Sequence, residues 1–514
     1  MPVAREVLAH ARSAPGRVAL ALGPPSGATR SVEADVTYAE LARRVRTAAD
    51  CLAAGGPGVA GGPVGAGDIV GITTGLALPG PSEPVGAPEP RSAGWAETLV
   101  VLLATDLLGA IPLVCDAGWN EVHREEVLAG VRPDRRASVS HVCADSCSPR
   151  RSRTPAPRPG GDAAGPRPAD LAWAGFTSGS TGRPRAVVRS RGSWAGSFAA
   201  VSLLCGATPG STVLVPGDLS ASLYCFGAVH ALSVGATLRP VPARGDLGPA
   251  ALVSDVLHVT PAQLETVLDT LDSVEDDGRT TSRTALVGGA GLASTVRRRA
   301  ERAGVHVVAY YGAAELSFVA VDTDGTGLRP FPGVEIDVRV DDDHPHGVVW
   351  VRSPWLASGY LAGATGPLER SEGWATVGDL AEPRTGGRPL VLRGRGTGAI
   401  AVGAATVLPE DVETVLAADP EVAEVVVLGT AHPRWGQVVT AVLVRTSTQE
   451  VDDGDAILLE RLERLCQGTL SPAQRPRRWF VAPSLPRTGG GKVARAAVPE
   501  GLAGYRRLRG SPQR

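Results

Sequence analysis

The chain has 514 residues, more than one ordinary hydrophobic core holds, so the length predicts two or more domains. A composition of 43% hydrophobic and 20% charged residues with net charge −2 is typical of a globular protein, and it argues against a nucleic-acid or anionic-membrane surface built on bulk charge. No apolar run reaches the length of a membrane span, and seven sparse cysteines suit reduced thiols in a cytoplasm.

Helical and strand patterns alternate through the first part of the chain. Residues 37–54 carry apolar side chains at helical spacing, and a strand pattern begins at Asp68. The segment 95–114 predicts a buried helix, a stop at Gly109 and a strand. Such alternation favours a layered α/β domain. Residues 146–170 lack periodicity and are crowded with Pro, Gly and Arg, which predicts a long exposed loop or a partly disordered insertion.

Later segments are richer in β-structure. Residues 306–322 predict a β-rich run, and residues 347–361 predict antiparallel strands. The basic run RRRAERAG, 297–304, predicts the solvated face of a helix. From residue 392 onward a strand, a glycine-rich turn, a helix and a strand follow one another. The remaining length suffices for a small α+β domain, with residues 394–398 as its hinge.

The stretch FTSGSTGRPR carries the strongest chemical signal. Its hydroxyl side chains can donate hydrogen bonds, and its glycines let backbone N–H groups turn inward, as wrapping a polyphosphate requires. The spacing differs from the nucleotide loop GxxxxGK[ST]. The alternative is a flexible Ser/Gly loop without a ligand. The residues concerned are Thr177, Ser178, Gly179, Ser180, Thr181 and Gly182.

Lys492 is the only lysine in a chain with 51 lysines and arginines. It lies in the glycine-rich stretch LPRTGGGKVAR near the C-terminus. One explanation is that a single lysine remains at this position by chance. The other is chemical, because an ammonium is a compact point charge that a planar guanidinium does not replace.

Five motifs, in order, resemble those of the adenylate-forming superfamily, which includes acyl-CoA synthetases, nonribosomal adenylation domains and luciferases. The phosphate loop resembles TSG[ST]TGxPKG, and the other four resemble YGxTE, [YW]xxTGDL, GRxDDxIxxxGxxIxPxEIE and PRTxxGKIxR. They are YYGAAE (310–315), GWATVGDL (373–380), GRGTGAIAVGAATVLPEDVE (394–413) and PRTGGGKVAR (486–495). With the helix at 37–54, the resemblance runs from about residue 37 to residue 498.

The resemblance implies a fold and a two-step reaction. The fold is α/β, with a large N-terminal domain of α/β layers plus a β-barrel part, residues 1–396. A small, mobile α+β C-terminal domain follows, residues 397–514. The reaction joins a carboxylic acid to ATP with Mg²⁺ as an acyl adenylate, and then transfers the acyl group to coenzyme A. The small domain rotates between the two steps.

The resemblance also assigns roles. Lys492 would bridge the carboxylate and the α-phosphate, Glu315 would bind Mg²⁺, and Arg185 would hold the leaving phosphates. Tyr311 would stack on adenine, and Asp379 would accept from the ribose hydroxyls with Arg395 beside it. Nucleotide contacts also fall to residues 177–182 and to Gly289, Ala290, Tyr310, Gly312 and Ala314.

The acyl pocket is assigned to Tyr224, Cys225, Phe226 and Gly288, and the coenzyme A passage to Gly403. The small residues at 288–291 predict space for a bulky or long acyl chain.

Several positions depart from the family pattern. The phosphate-loop lysine is Arg185, the α-phosphate threonine is Ala314, and the hinge pair is Thr397-Gly398. Most of these substitutions fall at positions that the family uses in the first step, adenylate formation. They leave three alternatives to an ordinary acyl-CoA ligase: a ligase that thioesterifies an adenylate made by a partner enzyme, a ligase that loads a carrier protein, and an AMP-binding pseudoenzyme. The departures and an arginine-rich composition favour a specialised pathway such as secondary metabolism.

Overall fold

The structure is a computed structural model, and it describes fifteen stretches of the chain. The segments 178–182 and 396–398, Ala290, Lys492 and most of the predicted loop 146–170 lie outside them. The described residues are 3–23, 35–74, 91–143, 167–177, 184–241, 246–273, 283–289, 291–340, 347–384, 386–395, 400–403, 405–407, 409–446, 454–486 and 498–508.

A nine-stranded sheet forms the largest layer in these residues. Its centre is parallel, because helical crossovers return the chain to the same edge each time, and three antiparallel strands complete its ends. In sheet order its strands are β15 Arg329–Pro330, β14 Ser317–Asp322, β13 Val305–Ala313, β12 Arg283–Val287, β11 Val256–Val259, β9 Thr212–Val215, β10 Thr237–Pro240, β1 Val18–Leu20 and β2 Val36–Thr37.

A second sheet of seven strands follows the same plan. Its central strand Ile111–Val114 is buried at every position, as a strand covered on both faces must be. In sheet order the strands are β18 Gly359–Tyr360, β8 Arg185–Ser190, β7 Leu171–Thr177, β5 Ile111–Val114, β4 Ile69–Thr73, β6 Arg135–Ser138 and β3 Val59–Ala60. Strands β7 and β8 form an antiparallel hairpin, and the predicted phosphate loop lies between them in the sequence.

A third, antiparallel sheet corresponds to the predicted β-barrel part. It consists of β19 Glu369–Ser371, β20 Trp374–Thr376, β17 Gly347–Arg352, β21 Asp379–Ala381 and β22 Leu392–Arg395, with β16 Glu335–Val340 paired to β17. The fourth sheet belongs to the small C-terminal domain. It consists of β24 Ala405–Val407, β23 Ile400–Val402, β26 Gly436–Arg445, β27 Arg478–Val481 and β28 Arg506–Arg507, with β25 Val422–His432 paired to β26.

The helices cover the sheets with their apolar faces. They are α1 Val3–Ser13, α2 Tyr38–Ala54, α3 Arg91–Leu107, α4 Glu121–Val131, α5 Val139–Val142, α6 Arg191–Ala195, α7 Phe198–Cys205, α8 Ser222–Val234, α9 Leu247–Leu252, α10 Pro261–Ser273, α11 Ser294–Arg302, α12 Pro409–Leu416, α13 Gly454–Thr469 and α14 Val498–Gly501. None of the helices in the described stretches has the length and apolarity needed to cross a membrane.

The described core divides into clusters on either side of residue 396. Three clusters contain only residues before 393, and two contain only residues from 400 onward. The chain therefore has a large N-terminal and a small C-terminal part, as predicted. The boundary at 396/397 falls on residues outside the described stretches and stays a prediction.

One sequence prediction is wrong at a single side chain. Within the basic run, Arg298 and Arg302 are exposed as expected, but Arg297 is only 7% exposed. Helix α11 packs on β13 through this position, and the Arg297 guanidinium donates to Val307 O at 2.9 Å and to the Asp322 carboxylate at 3.0 Å. Burial is tolerated because both partners satisfy the guanidinium.

Candidate active site

Several of the predicted site residues in the described stretches lie at the carboxyl edge of the nine-stranded sheet. In open parallel sheets this edge is where ligands bind. Strand β12 ends there just before Gly288 and Gly289, and β13 ends there just before the turn that carries Glu315. The turn is tight because Gly312 has no side chain. A Cβ at Gly312 would lie 2.2 Å from Ser317 O.

Tyr311 and Asp379 are in direct contact, although they belong to different sheets. The Tyr311 hydroxyl donates to Asp379 Oδ2 at 2.5 Å. Asp379 begins β21 and is 8% exposed, while Tyr311 is half-buried on β13. A phenol ring and a carboxylate are thus presented side by side at the sheet edge.

The Glu315 carboxylate is buried, at 5% exposure, and is held by a tyrosine that sequence reasoning missed. The Tyr360 hydroxyl donates to Glu315 Oε1 at 3.1 Å, and Ala357 N donates to Glu315 O at 2.8 Å. Burial raises the pKa of Tyr360, and the nearby Glu315 charge raises it further, while Arg185 acts in the opposite direction. Arg185, Glu315 and Tyr360 therefore share one electrostatic neighbourhood.

Arg189 is a second site residue that sequence reasoning missed. It lies four residues after Arg185 on the same face of β8, and it is 1% exposed. Its guanidinium donates to Ala314 O at 3.2 Å, next to Glu315. Burial lowers the pKa of Arg189 to about 9, and the charge of Glu315 opposes this shift. The available signal was a second arginine that follows three apolar residues in the same strand.

The predicted room at residues 288–291 is occupied at Gly288 but open at Gly291, where a Cβ would meet no atom within 4 Å. A Cβ at Gly288 would lie 2.2 Å from Cζ of Tyr310, so the Tyr310 ring occupies the space that this glycine leaves. The Tyr310 ring packs against Phe318 at 4.7 Å, and Phe318 packs against Phe226 at 5.0 Å. The expected room for a bulky or long chain beside Gly288 is therefore taken by an aromatic ring.

Tyr224 and Cys225 have different environments on α8. The Tyr224 hydroxyl donates to Gln263 Oε1 at 3.0 Å, and its ring covers Gly217, where a Cβ would lie 2.1 Å from it. Cys225 is completely buried, which raises the pKa of its thiol to about 12. A hydrogen bond donated by the Trp173 indole acts in the opposite direction on the pKa of this thiol.

Gly403 of the small domain lies beside an exposed tryptophan. Gly403 adopts φ 57° and its N–H donates to Trp435 O at 3.1 Å. The Trp435 ring, 45% exposed, would lie 3.5 Å from a Cβ at Gly403. The absence of a side chain at residue 403 therefore leaves one face of the indole open.

The remaining predicted site residues are only partly placed. Thr177 pairs with Arg185 across the β7–β8 hairpin, and Arg395 pairs with Asp379 through the backbone. The residues of the predicted site that lie outside the described stretches are Ser178, Gly179, Ser180, Thr181, Gly182, Ala290 and Lys492.

Comparison with known proteins identifies the family. The AMP-binding enzyme family matches residues 92–361, more than half of the chain, and the AMP-binding enzyme C-terminal domain matches residues 411–492. The chain belongs to the AMP-binding enzyme family. Because both domains of the family are matched, the two-part division of the core is that of an adenylate-forming enzyme.

Individual relatives carry ligase names. This AMP-binding enzyme is 32% identical over 349 residues to an uncharacterized acyl–CoA ligase, YhfT, of Bacillus subtilis, covering 64% of this chain and 68% of the relative. It is 26% identical over 555 residues to a 4-chlorobenzoate–CoA ligase of Arthrobacter sp., and the match covers 98% of this chain and 96% of that relative.

Solved structures share its fold at lower identity. An o-succinylbenzoate CoA synthetase from Bacillus subtilis superposes with a TM-score of 0.74 at 20% identity, covering 98% of this chain and 99% of that one. The amide bond synthetase McbA from Marinactinospora thermotolerans superposes with a TM-score of 0.71 at 23% identity, and the match covers 97% of this chain and 99% of that one. The fold is therefore that of the adenylate-forming enzymes.

The acidic residues of the site fit a metal that arrives with its substrate. In the described stretches no three His, Cys, Asp or Glu side chains form a cage for a metal ion. Glu315 instead offers a single buried carboxylate. Mg²⁺ is commonly held in this way, by one or two carboxylates together with substrate phosphates and water.

Proposed function

We propose that the chain is an acyl-CoA ligase that converts a carboxylic acid and Mg·ATP to an acyl adenylate and then transfers the acyl group to coenzyme A. The Tyr311–Asp379 contact carries the proposal, because it offers a ring to adenine and a carboxylate to the ribose hydroxyls at the ligand edge of the sheet. The ligase names of two relatives support the same reading. Cytoplasm is the proposed compartment, because five cysteines of the described stretches are free thiols; the expectation of reduced thiols fails at Cys51, which is disulfide-bonded.

In the first step an oxygen of the substrate carboxylate attacks the α-phosphorus of ATP. The bond from that phosphorus to the bridging oxygen breaks, and pyrophosphate leaves with the electron pair. We assign the leaving phosphates to the loop 177–182 and Arg185, and the approaching anions to the Lys492 ammonium. Mg²⁺ at Glu315 would neutralise phosphate charge.

In the second step the thiol sulfur of coenzyme A attacks the acyl carbon. The thiol proton is lost to solvent, and AMP leaves with the electrons of the acyl–oxygen bond. Asp379 and Tyr311 keep the nucleotide in place through both steps. We assign the thiol passage to Gly403 with the Trp435 ring as its wall, reached by rotation of the C-terminal domain about the proposed hinge, residues 394–398.

A second candidate is a ligase impaired in the first step and supplied with adenylate by a partner enzyme. Two observations favour it. Ala314 lies beside Glu315 without a hydroxyl, and Arg185 presents a planar fork where the family has an ammonium. Losing two charge-assisted contacts would slow adenylation roughly 10²- to 10⁴-fold, since each is worth about 1.5–3 kcal/mol.

The test uses a panel of carboxylic acids with Mg·ATP and coenzyme A, with thioesters detected by mass spectrometry. For an acid that reacts, the rate is compared with that from its preformed adenylate. We expect thioester from both routes, and faster turnover of the supplied adenylate. Thioester from the adenylate alone would favour the impaired ligase. The absence of thioester by either route across the panel would contradict both candidates.

A further inference from the structure

Arg189 differs in its partners from Arg191 and Arg297, two other buried arginines of the large domain. Arg191 binds the Asp106 carboxylate, and Arg297 binds that of Asp322. Arg189 has no carboxylate within ion-pair distance in the described part of the chain, although it is 1% exposed. A buried cation is costly unless hydrogen bonds satisfy it, so its hydrogen bonds explain its presence.

Every hydrogen bond of the Arg189 guanidinium in the described stretches goes to a neutral oxygen, either in α6, which follows β8, or in one of two distant segments. Its Nη1 donates to Ala314 O at 3.2 Å, and its Nη2 donates to Trp355 O. Its Nε donates to Ser193 Oγ at 3.0 Å, and Ser193 Oγ in turn donates to Trp355 O at 3.2 Å. One guanidinium thus joins β8, the turn at Ala314 and the loop at Trp355.

The two joined segments are those that fix Glu315. The backbone of Glu315 accepts from Ala357 N, two residues after Trp355, and its carboxylate accepts from Tyr360. The carbonyl immediately before Glu315 is the one that Arg189 holds. Glu315 is therefore held at the preceding peptide, at its own carbonyl and at its side chain.

We propose that Arg189 is a positioning residue that holds the Glu315 carboxylate where the Mg²⁺ of Mg·ATP binds. The inference rests on the proposed function. A planar fork with five donors reaches Ser193, Ala314 and Trp355 at once, whereas an ammonium on a flexible stem does not. Without the fork, the Ala314 and Trp355 carbonyls would lose their donor and the turn could shift. Small displacements of a charged group weaken its contact with a ligand.

The experiment measures how much Mg²⁺ tightens ATP binding in the absence of any acid. Dissociation constants for ATP are determined by calorimetry with Mg²⁺ and with a chelator, for the whole protein and for Arg189→Met. We expect the gain from Mg²⁺ to fall about 10- to 100-fold in the variant, as for residues that orient a metal ligand. The affinity for AMP in chelator should stay the same. Arg189→Lys should recover part of the gain.

Arg297→Met is the matched control. It removes another buried guanidinium that donates to a backbone carbonyl, that of Val307 in β13, and should lower the melting temperature without changing the gain from Mg²⁺. A folded Arg189→Met that keeps the full gain overturns the inference. If Arg189→Met does not fold, Ser193→Ala serves instead. Ser193→Ala should reduce the Mg²⁺-dependent gain in ATP affinity, by less than Arg189→Met would. An unchanged gain in Ser193→Ala would also overturn the inference. If the unaltered protein does not bind Mg·ATP, the proposed function itself is contradicted.

Discussion

At the scale of single residues, the Tyr311–Asp379 hydrogen bond joins the two side chains to which the proposed function assigns the adenine and the ribose. Its length of 2.5 Å is short for a bond between a hydroxyl and a carboxylate oxygen. A ribose presents two hydroxyls to the same carboxylate, and the Tyr311 ring can remain in place as Asp379 accepts from them. The Tyr311 hydroxyl thus gives the buried Asp379 carboxylate a hydrogen-bond donor when no ligand is bound.

The first prediction follows from this pair. Asp379→Ala should weaken AMP binding by about 1–3 kcal/mol, because two ribose hydroxyls lose their acceptor. Tyr311→Phe is the control, since it keeps the ring and removes only the hydroxyl, and it should weaken binding much less. Calorimetry on both folded variants measures the difference. Equal losses in the two variants would contradict the ribose assignment.

The second prediction concerns the contact of Gly288 with Tyr310. Gly288→Ala should lower the free energy of unfolding by about 1–3 kcal/mol, because the added Cβ would overlap the Tyr310 ring. The double variant Gly288→Ala with Tyr310→Leu should recover most of that loss, because the smaller side chain leaves room for the methyl group. Thermal unfolding checks both, and a double variant no more stable than the single one would refute the overlap.

At the scale of elements, an ion pair joins the end of α12 to α13 in the C-terminal domain. Arg461 of α13 donates to both Asp419 oxygens, at 2.6 and 2.9 Å, and Asp419 lies just after α12. Asp419 is 5% exposed, and the hydrogen bonds from Arg461 lower its pKa. A second carboxylate, that of Glu421, lies 2.9 Å from the same guanidinium.

The third prediction gives the pH dependence of this pair. Because the pKa of Asp419 is lower in the folded state than in the unfolded state, its contribution is complete above the unfolded value. It is lost as pH falls through the folded value. Asp419→Asn should therefore lower stability at neutral pH by about 1–2 kcal/mol, a moderate figure because Arg461 is partly exposed. The difference between the variant and the parent should therefore shrink as pH falls below the unfolded-state pKa of about 3.9. Denaturant unfolding across pH tests it, and a constant difference down to pH 2 would contradict it.

Most elements with strong local signals were predictable from the sequence. The helix expected at 37–54 is α2, which begins at Tyr38 because Thr37 Oγ1 caps it by accepting from Glu40 N. The helix, stop and strand at 95–114 are α3, Gly109 at φ 74° and β5. These features depend on neighbours within a few residues, which a single sequence contains.

Contacts between distant segments were not predictable in this way. Strand β18 pairs with β8 although about 170 residues separate them, and this pairing brings Tyr360 to Glu315. The Arg189 bonds span a similar separation. Hydrophobic periodicity shows which face of a strand is buried but not which strand lies next to it. The ring that fills the space at Gly288 was missed for the same reason.

At the scale of the whole molecule, the proposed reaction divides its chemistry between two parts of the chain. The nucleotide contacts lie in the large part, whereas the two residues assigned to the reacting ends of the acid and of coenzyme A, Lys492 and Gly403, lie in the small part. Each step would need only one of these two residues at the site. The division allows a mutation in the small part to affect one step alone.

The fourth prediction uses that division. Lys492→Ala should slow adenylate formation by orders of magnitude, because the cation between two approaching anions is lost. Thioester formation from supplied adenylate should persist. Gly403→Ala is the complementary variant, since a methyl group there would narrow the gap beside Trp435 and slow the second step selectively. Rapid-quench measurement of each step separates them. Equal losses in both steps for Lys492→Ala would contradict its assigned role.

The burial of the tryptophans has an optical consequence. Of the nine in the chain, all of which lie in described stretches, five are buried, three are half-buried and only Trp435 is exposed. Indole emission shifts to longer wavelength in water, so the red edge of the fluorescence spectrum should come mainly from this one ring. A thiol ligand that covers the ring beside Gly403 would quench or shift that component and leave the rest of the spectrum unchanged. If coenzyme A binds as proposed, Trp435 would report its arrival in real time, without a label.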